Sequence, residues 1–186
     1  MTARFALVSV LLAGACADPP VTYSSPIGIR LQAKSTGAFN GVVADDKAIT
    51  TEQGNPYAAF ITGSKELLAG KTPTAIVIEG AMLRLGETST NVTALPEVFS
   101  GSIDIGFLIN DSNNSYGVAS GEVEPATRQG LELDPRFDSA ALTEFDYLKL
   151  LGGQFKVWAR GTAAQGFADR SASADLEVTL TFSAFE

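Results

Sequence analysis

Two-residue alternation of apolar and polar side chains is the strongest pattern in this chain. Ile27, Ile29, Leu31 and Ala33 are interleaved with Gly28, Arg30, Gln32 and Lys34. Ile103, Ile105, Phe107 and Ile109 alternate with Asp104, Gly106 and Leu108, and Leu176, Val178, Leu180 and Phe182 with Glu177, Thr179, Thr181 and Ser183. Such alternation predicts antiparallel strands with one packed face and one wet face. Ala75-Ile76-Val77-Ile78 is continuously apolar until Glu79-Gly80 interrupts it. A bulge at Gly80 would put Ile76, Ile78, Ala81, Leu83 and Leu85 on one face, with Glu79 and Arg84 pointing outward.

Two segments carry the longer period of a helix. Asn55 suits a cap and Pro56 a first helical position. Phe60, Ile61, Ser64, Leu67 and Leu68 then share a stripe, and Gly70 can stop it. A second helix is predicted from Asp138 to Leu151. There Ala141, Leu142, Phe145, Leu148 and Leu151 form the apolar stripe, and Gly152-Gly153 ends it. The stretch 120 to 140, with Glu122, Glu124, Pro125, Pro135 and Asp138, reads as a long loop. Many short strands without regular strand–helix alternation predict a mainly β fold: an antiparallel β-sandwich with one or two short helical insertions.

The first residues follow another logic. One cation, Arg4, precedes an apolar run from Phe5 to Leu12, then the small residues Ala13-Gly14-Ala15, then Cys16 and the polar Ala17-Asp18-Pro19-Pro20. This is the layout of a secretory signal, and its apolar run is too short to span a bilayer. With Cys directly after the small residues, the site resembles the lipobox of bacterial lipoproteins, although Ala13 stands where Leu is usual. The resemblance implies a diacylglycerol on the Cys16 sulfur and a cut before it. It also implies outer-membrane placement, because Ala17, not Asp, follows the Cys. A plain signal peptide cut near Ala15 or Ala17 is the alternative. The expected organisation is a signal over 1–15, a lipidated Cys and tether over 16–25, and one β-rich domain over 26–186.

Composition narrows the chemistry. The formal net charge is -8, which disfavours nucleic acid as a partner, since phosphate binding needs clustered Lys and Arg. There is no His and one Cys, so the Ser-His-Asp triad, the Cys-His dyad, His metal sites and an internal disulfide are all excluded. Carboxylate chemistry or a Ser-Lys pair remains for catalysis. No cofactor is expected.

Three segments are candidates for binding. In Asp111 to Gly117, oxygens on Asp111, Asn113 and Ser115, with Glu122 beyond, echo a calcium loop. Tyr116 occupies the place where such a loop needs Gly, and a polar hairpin turn between strands 102–110 and 116–123 is the competing reading. In Phe155 to Arg160, the side chains of Lys156, Trp158 and Arg160 share one face, with the cations beside the indole. That face could take a sugar ring or a protein partner unless a helix covers it. In Thr51 to Tyr57, a polar cluster enters the first helix and serves as a cap or an anion contact. Phe167-Ala168-Asp169-Arg170 reads as a hairpin tip with a local ion pair. The leading expectation is a lipid-anchored, non-enzymatic envelope protein whose partner is an envelope protein or glycan. A glycan- or calcium-binding module and a carboxylate hydrolase are the alternatives.

Overall fold

The computed structural model describes residues 22–38 and 40–186. The proposed signal and Cys16 lie outside them. Eight strands form the body: β1 (Thr22–Lys34), β2 (Val42–Ile49), β3 (Ala75–Leu85), β4 (Phe99–Ile109), β5 (Ser115–Val123), β6 (Gly130–Pro135), β7 (Phe155–Ala163) and β8 (Ser173–Phe185). Helices α1 (Pro56–Leu67) and α2 (Glu144–Leu151) complete it.

The fold is mainly β and antiparallel, as the alternation predicts. Its strands make one sheet, in the order β1-β8-β3-β6-β5-β4-β7-β2, curled into a nearly closed barrel. The sandwich expectation differs here for a definable reason. Short β6 pairs on both edges, with β3 through Leu131 and Leu133 and with β5 through Asp134, joining what would otherwise be two layers. That strand falls in the segment read as loop. Its few residues, between Gly130 and Pro135, are too short to show a period.

The seam lies between β1 and β2. The Gln32 backbone N–H donates to Asp45 Oδ2 across it at 2.7 Å. By the alternation of antiparallel backbones, the polar groups of Arg30, Gly28 and Pro26 face the seam too. Pro26 thus removes a donor from an open edge, where proline is tolerated. Asp45 and Lys47 occupy the same strand face as buried Val43 and Ile49 on the other edge strand, and such charges discourage further strand pairing.

The interior is filled. Ile27, Ile29, Leu31 and Ala33 are buried on β1, and the alternate residues of β8 pack opposite them. The register shifts between Ile78 and Gly80, so Ile76, Ile78, Ala81, Leu83 and Leu85 are all buried while Glu79 and Arg84 stay exposed. Aromatic rings occupy the centre: Phe107 stacks on Phe182 at 5.9 Å and meets Phe155 edge-on at 4.9 Å. Tyr57 packs edge-on against Phe155 and Phe182, and its hydroxyl donates to the Leu150 carbonyl at 2.8 Å.

Both helices close the same end of this barrel. β1, β3, β5 and β7 start at that end, and β2, β4 and β8 finish there, as the pairings Thr22–Phe185, Ala75–Phe185, Ile49–Phe155 and Ile109–Phe155 require. Helix α1 begins where Asn55 accepts from the Tyr57 N–H, and it buries Tyr57, Phe60, Ile61 and Ser64. Leu67, expected on its packed stripe, is exposed.

Helix α2 starts later than its predicted limit. Asp138 caps a separate 3-10 turn (Ser139–Ala141), Leu142 is extended, and Thr143 caps the helix itself. Its packed face also differs from the predicted stripe: Asp146 and Leu150 are buried, whereas Phe145 and Leu148 are exposed. Tyr147 anchors the helix by donating to the Pro73 carbonyl. Residues 22–25, expected in the tether, are instead the first residues of β1. Among the described residues, no helix is long and apolar enough to cross a membrane.

Candidate functional site

The outer wall formed by β2, β7 and β4 holds the Trp158 cluster. Strand alternation turns Phe155, Val157 and Ala159 inward and Lys156, Trp158 and Arg160 outward. Trp158 lies in register with Asp46 on β2 and Gly106 on β4. The indole lies across Gly106: a Cβ there would sit 2.1 Å from the ring and 2.7 Å from the Tyr116 carbonyl oxygen. Glycine is therefore what lets the ring sit against the sheet. One side of Trp158 remains open, on a shallow groove of about 280 Å³ shared with Ala44, Asp46, Leu108, Ser115 and Arg160. Lys156 turns to Asp46 at 2.9 Å. The cluster is a half-buried aromatic with one paired cation and one, Arg160, that has no ion-pair partner among the described residues.

The Asp111 segment is a tight hairpin between β4 and β5, with Asp111 and Asn113 at positive φ. Asp111 pairs with Lys149 of α2. Glu122 sits opposite Ser102, far up β5 from Ser115, at a distance of ~20 Å along the strand. The structure does not bring Glu122 to Asp111, Asn113 and Ser115. Among the described residues, no three His, Cys, Asp or Glu side chains gather as metal ligands would.

What the hairpin does hold is Asp146, which the sequence reading did not single out. Its Oδ2 accepts from the Tyr116 hydroxyl at 2.6 Å and from Asn114 Nδ2 at 2.8 Å. Its backbone N–H donates to the Thr143 hydroxyl at 3.1 Å. Burial would raise its pKa, but the hydrogen bonds from Tyr116 and Asn114, with smaller contributions from Ser112 and Thr143, outweigh it and bring it down to about 2. The same carboxylate raises the Tyr116 pKa. A Thr followed three residues later by an acid is a helix-start signal that could have located this residue. The group is a fixed anion that ties α2 to the hairpin.

Glu97 is also held low, first by the Thr93 backbone N–H and then by Arg170. Arg170 pairs with Glu97 at 2.9 Å, not with Asp169, and Phe167 is buried; the expected hairpin tip is a 3-10 turn (Ala168–Arg170) folded onto the barrel. A general acid at neutral pH needs a carboxyl moved up, and both of these carboxyls move down.

At the start of α1 the polar cluster is used structurally. Asn55 caps, and the Thr51 hydroxyl donates to the Gly152 carbonyl at 3.2 Å, linking α1 to the segment after α2. Beside it, the seam opens into a groove of about 470 Å³ lined by Ile27 and Ile29 of β1, Lys47 and Ile49 of β2, Pro56 and Glu177.

No protein-family model matches this chain, and no curated protein matches it.

Proposed function

We propose that this chain is an exported lipoprotein, held in the outer membrane by acyl chains on Cys16, whose barrel binds or scaffolds another envelope component and does not catalyse a reaction. The observation that carries this reading is Cys16 itself, set directly behind Ala13-Gly14-Ala15 and an apolar run headed by Arg4. Each buried CH₂ of an acyl chain contributes about 0.8 kcal/mol, so two or three chains hold a small domain stably. The first described strand starts at Thr22, at most ~20 Å of chain from Cys16. A binding role is supported by an interior packed with aromatic rings and by a sequence without His. Recognition then belongs to the outer surface. Mass spectrometry of the mature protein from envelope fractions tests the anchor. The expected product begins at Cys16 and carries thioether-linked diacylglycerol, and Cys16→Ser releases the protein from membranes. An unmodified thiol, or a product starting at another residue, refutes the reading.

The Trp158 face favours a second, compatible reading, in which the bound component is a glycan. Its support is the flat, half-open indole beside Arg160. Titration with envelope oligosaccharides, followed by the fluorescence of this single tryptophan, should shift its emission. An unchanged spectrum at millimolar sugar argues against it.

A further inference from the structure

Among the described residues, three large apolar side chains stand exposed: Leu67 at 51%, Phe145 at 51% and Leu148 at 60%. Apolar exposure scattered over a surface needs no explanation. Here all three fall on α1 and α2, the two helices that close one end of the barrel. Phe145 and Leu148 are three residues apart and share the helix face opposite Asp146 and Leu150, which are buried. Lys149 Nζ lies over the Phe145 ring at 5.3 Å, an aromatic with a cation beside it. Lys65, on α1, is exposed close to Leu67.

The chain enters the fold at this same end. Thr22 opens β1 opposite Phe185, and the Tyr23 ring packs on Phe60 of α1 at 5.9 Å. A segment running from Cys16 to Thr22 spans at most ~20 Å. The opposite end of the barrel lies a tilted strand away: the 13 residues of β1 cover ~30 Å along the barrel axis. An anchor on Cys16 can therefore bring the helix-closed end to a bilayer, and it cannot bring the other end there.

We infer that the helix-closed end is a membrane-contacting face, on which Leu67, Phe145 and Leu148 enter the boundary between headgroups and acyl chains of the leaflet that holds the anchor. The inference rests on the lipoprotein reading above. The contact orients the barrel, so that its opposite end points away from the bilayer, with Trp158 ~10 Å along β7 from the helix-closed end. The surface it suits is zwitterionic: Glu52, Glu66, Asp111, Glu144 and Glu186 outnumber Lys65, Lys71 and Lys149 at this end, so anionic lipid is repelled.

The test uses the lipidated full chain reconstituted into phosphatidylcholine vesicles with brominated acyl chains, which quench nearby indoles. The wild type supplies the baseline for Trp158, which lies ~10 Å along β7 from the helix-closed end. Phe145→Trp and, separately, Leu67→Trp add a second indole at exposed positions that the fold does not need. The added fluorescence should be quenched by at least about two-fold and shifted to the blue, and quenched more strongly than Trp158 in the wild type. Replacing half of the lipid with phosphatidylglycerol should weaken the quenching. Protein that floats with the vesicles while both added indoles stay unquenched overturns this inference and leaves the anchor intact. An expressed chain that acquires no acyl group, and so does not float with the vesicles, overturns both.

Discussion

Asp146 is the buried anion on which the attachment of α2 depends, and acid titration isolates what it contributes. In the unfolded chain it titrates near its ordinary value of 3.8, and in the folded protein at about 2. Because the folded value is the lower one, its stabilisation is complete above the ordinary value and is lost as pH falls from there toward the folded value. The gap corresponds to about 2.5 kcal/mol at neutral pH, of which roughly 1 kcal/mol is gone by pH 3. Asp146→Asn keeps the shape and one oxygen able to accept from Tyr116 and Asn114, but it removes the charge. It also places an amide donor where Oδ1 is buried with no hydrogen-bond partner within bonding distance among the described residues. The variant should be about 2 kcal/mol less stable than wild type at pH 7. The difference should narrow by roughly 1 kcal/mol at pH 3. Urea unfolding at pH 7, 5 and 3, followed by far-UV circular dichroism, measures both proteins. The other carboxylates titrate in each and cancel in the comparison. Parallel pH profiles for the two proteins would refute the reasoning.

Other substitutions probe the remaining parts of the account. Gly106→Ala drives a Cβ into the Trp158 ring and toward the Tyr116 carbonyl, and should cost about 1–3 kcal/mol in urea unfolding while shifting the Trp158 emission to the red. Phe182→Ala removes a ring that touches Tyr57, Phe60 and Phe107, with an expected loss of about 3–5 kcal/mol in the same assay. Thr143→Ala deletes the cap of α2 and should cost about 1 kcal/mol, with faster amide exchange in that helix than in α1.

The strands were legible because a half-buried sheet imposes a two-residue period, and β1, β4 and β8 carry it without interruption. The bulge at Gly80 was legible for the same reason, since continuous burial of Ile76 to Leu85 on one face requires a register shift. Closure of the sheet was not. It depends on β6, whose pairing partners are set by tertiary contact and not by its own short pattern. The helix faces were misread where apolar residues do not mark the core. On α2 the buried positions include Asp146, a carboxylate that the hairpin hydrogen bonds make tolerable, while Phe145 and Leu148 face out. A periodicity argument ranks Phe above Asp for burial and so selects the wrong side. The Lys156, Trp158 and Arg160 face was readable from alternation alone, but its floor at Gly106 comes from a neighbouring strand. The calcium-like spacing failed because sequence distance along an extended strand separates residues that a compact loop would gather.

The proposed lipid anchor rests on the state of the Cys16 sulfur. Metabolic labelling with an alkyne-bearing fatty acid, followed by intact-mass measurement of wild type and Cys16→Ser, reads it directly. The account predicts label and acyl mass on the wild type and neither on the variant. Equal labelling of both, or none on either, would contradict it.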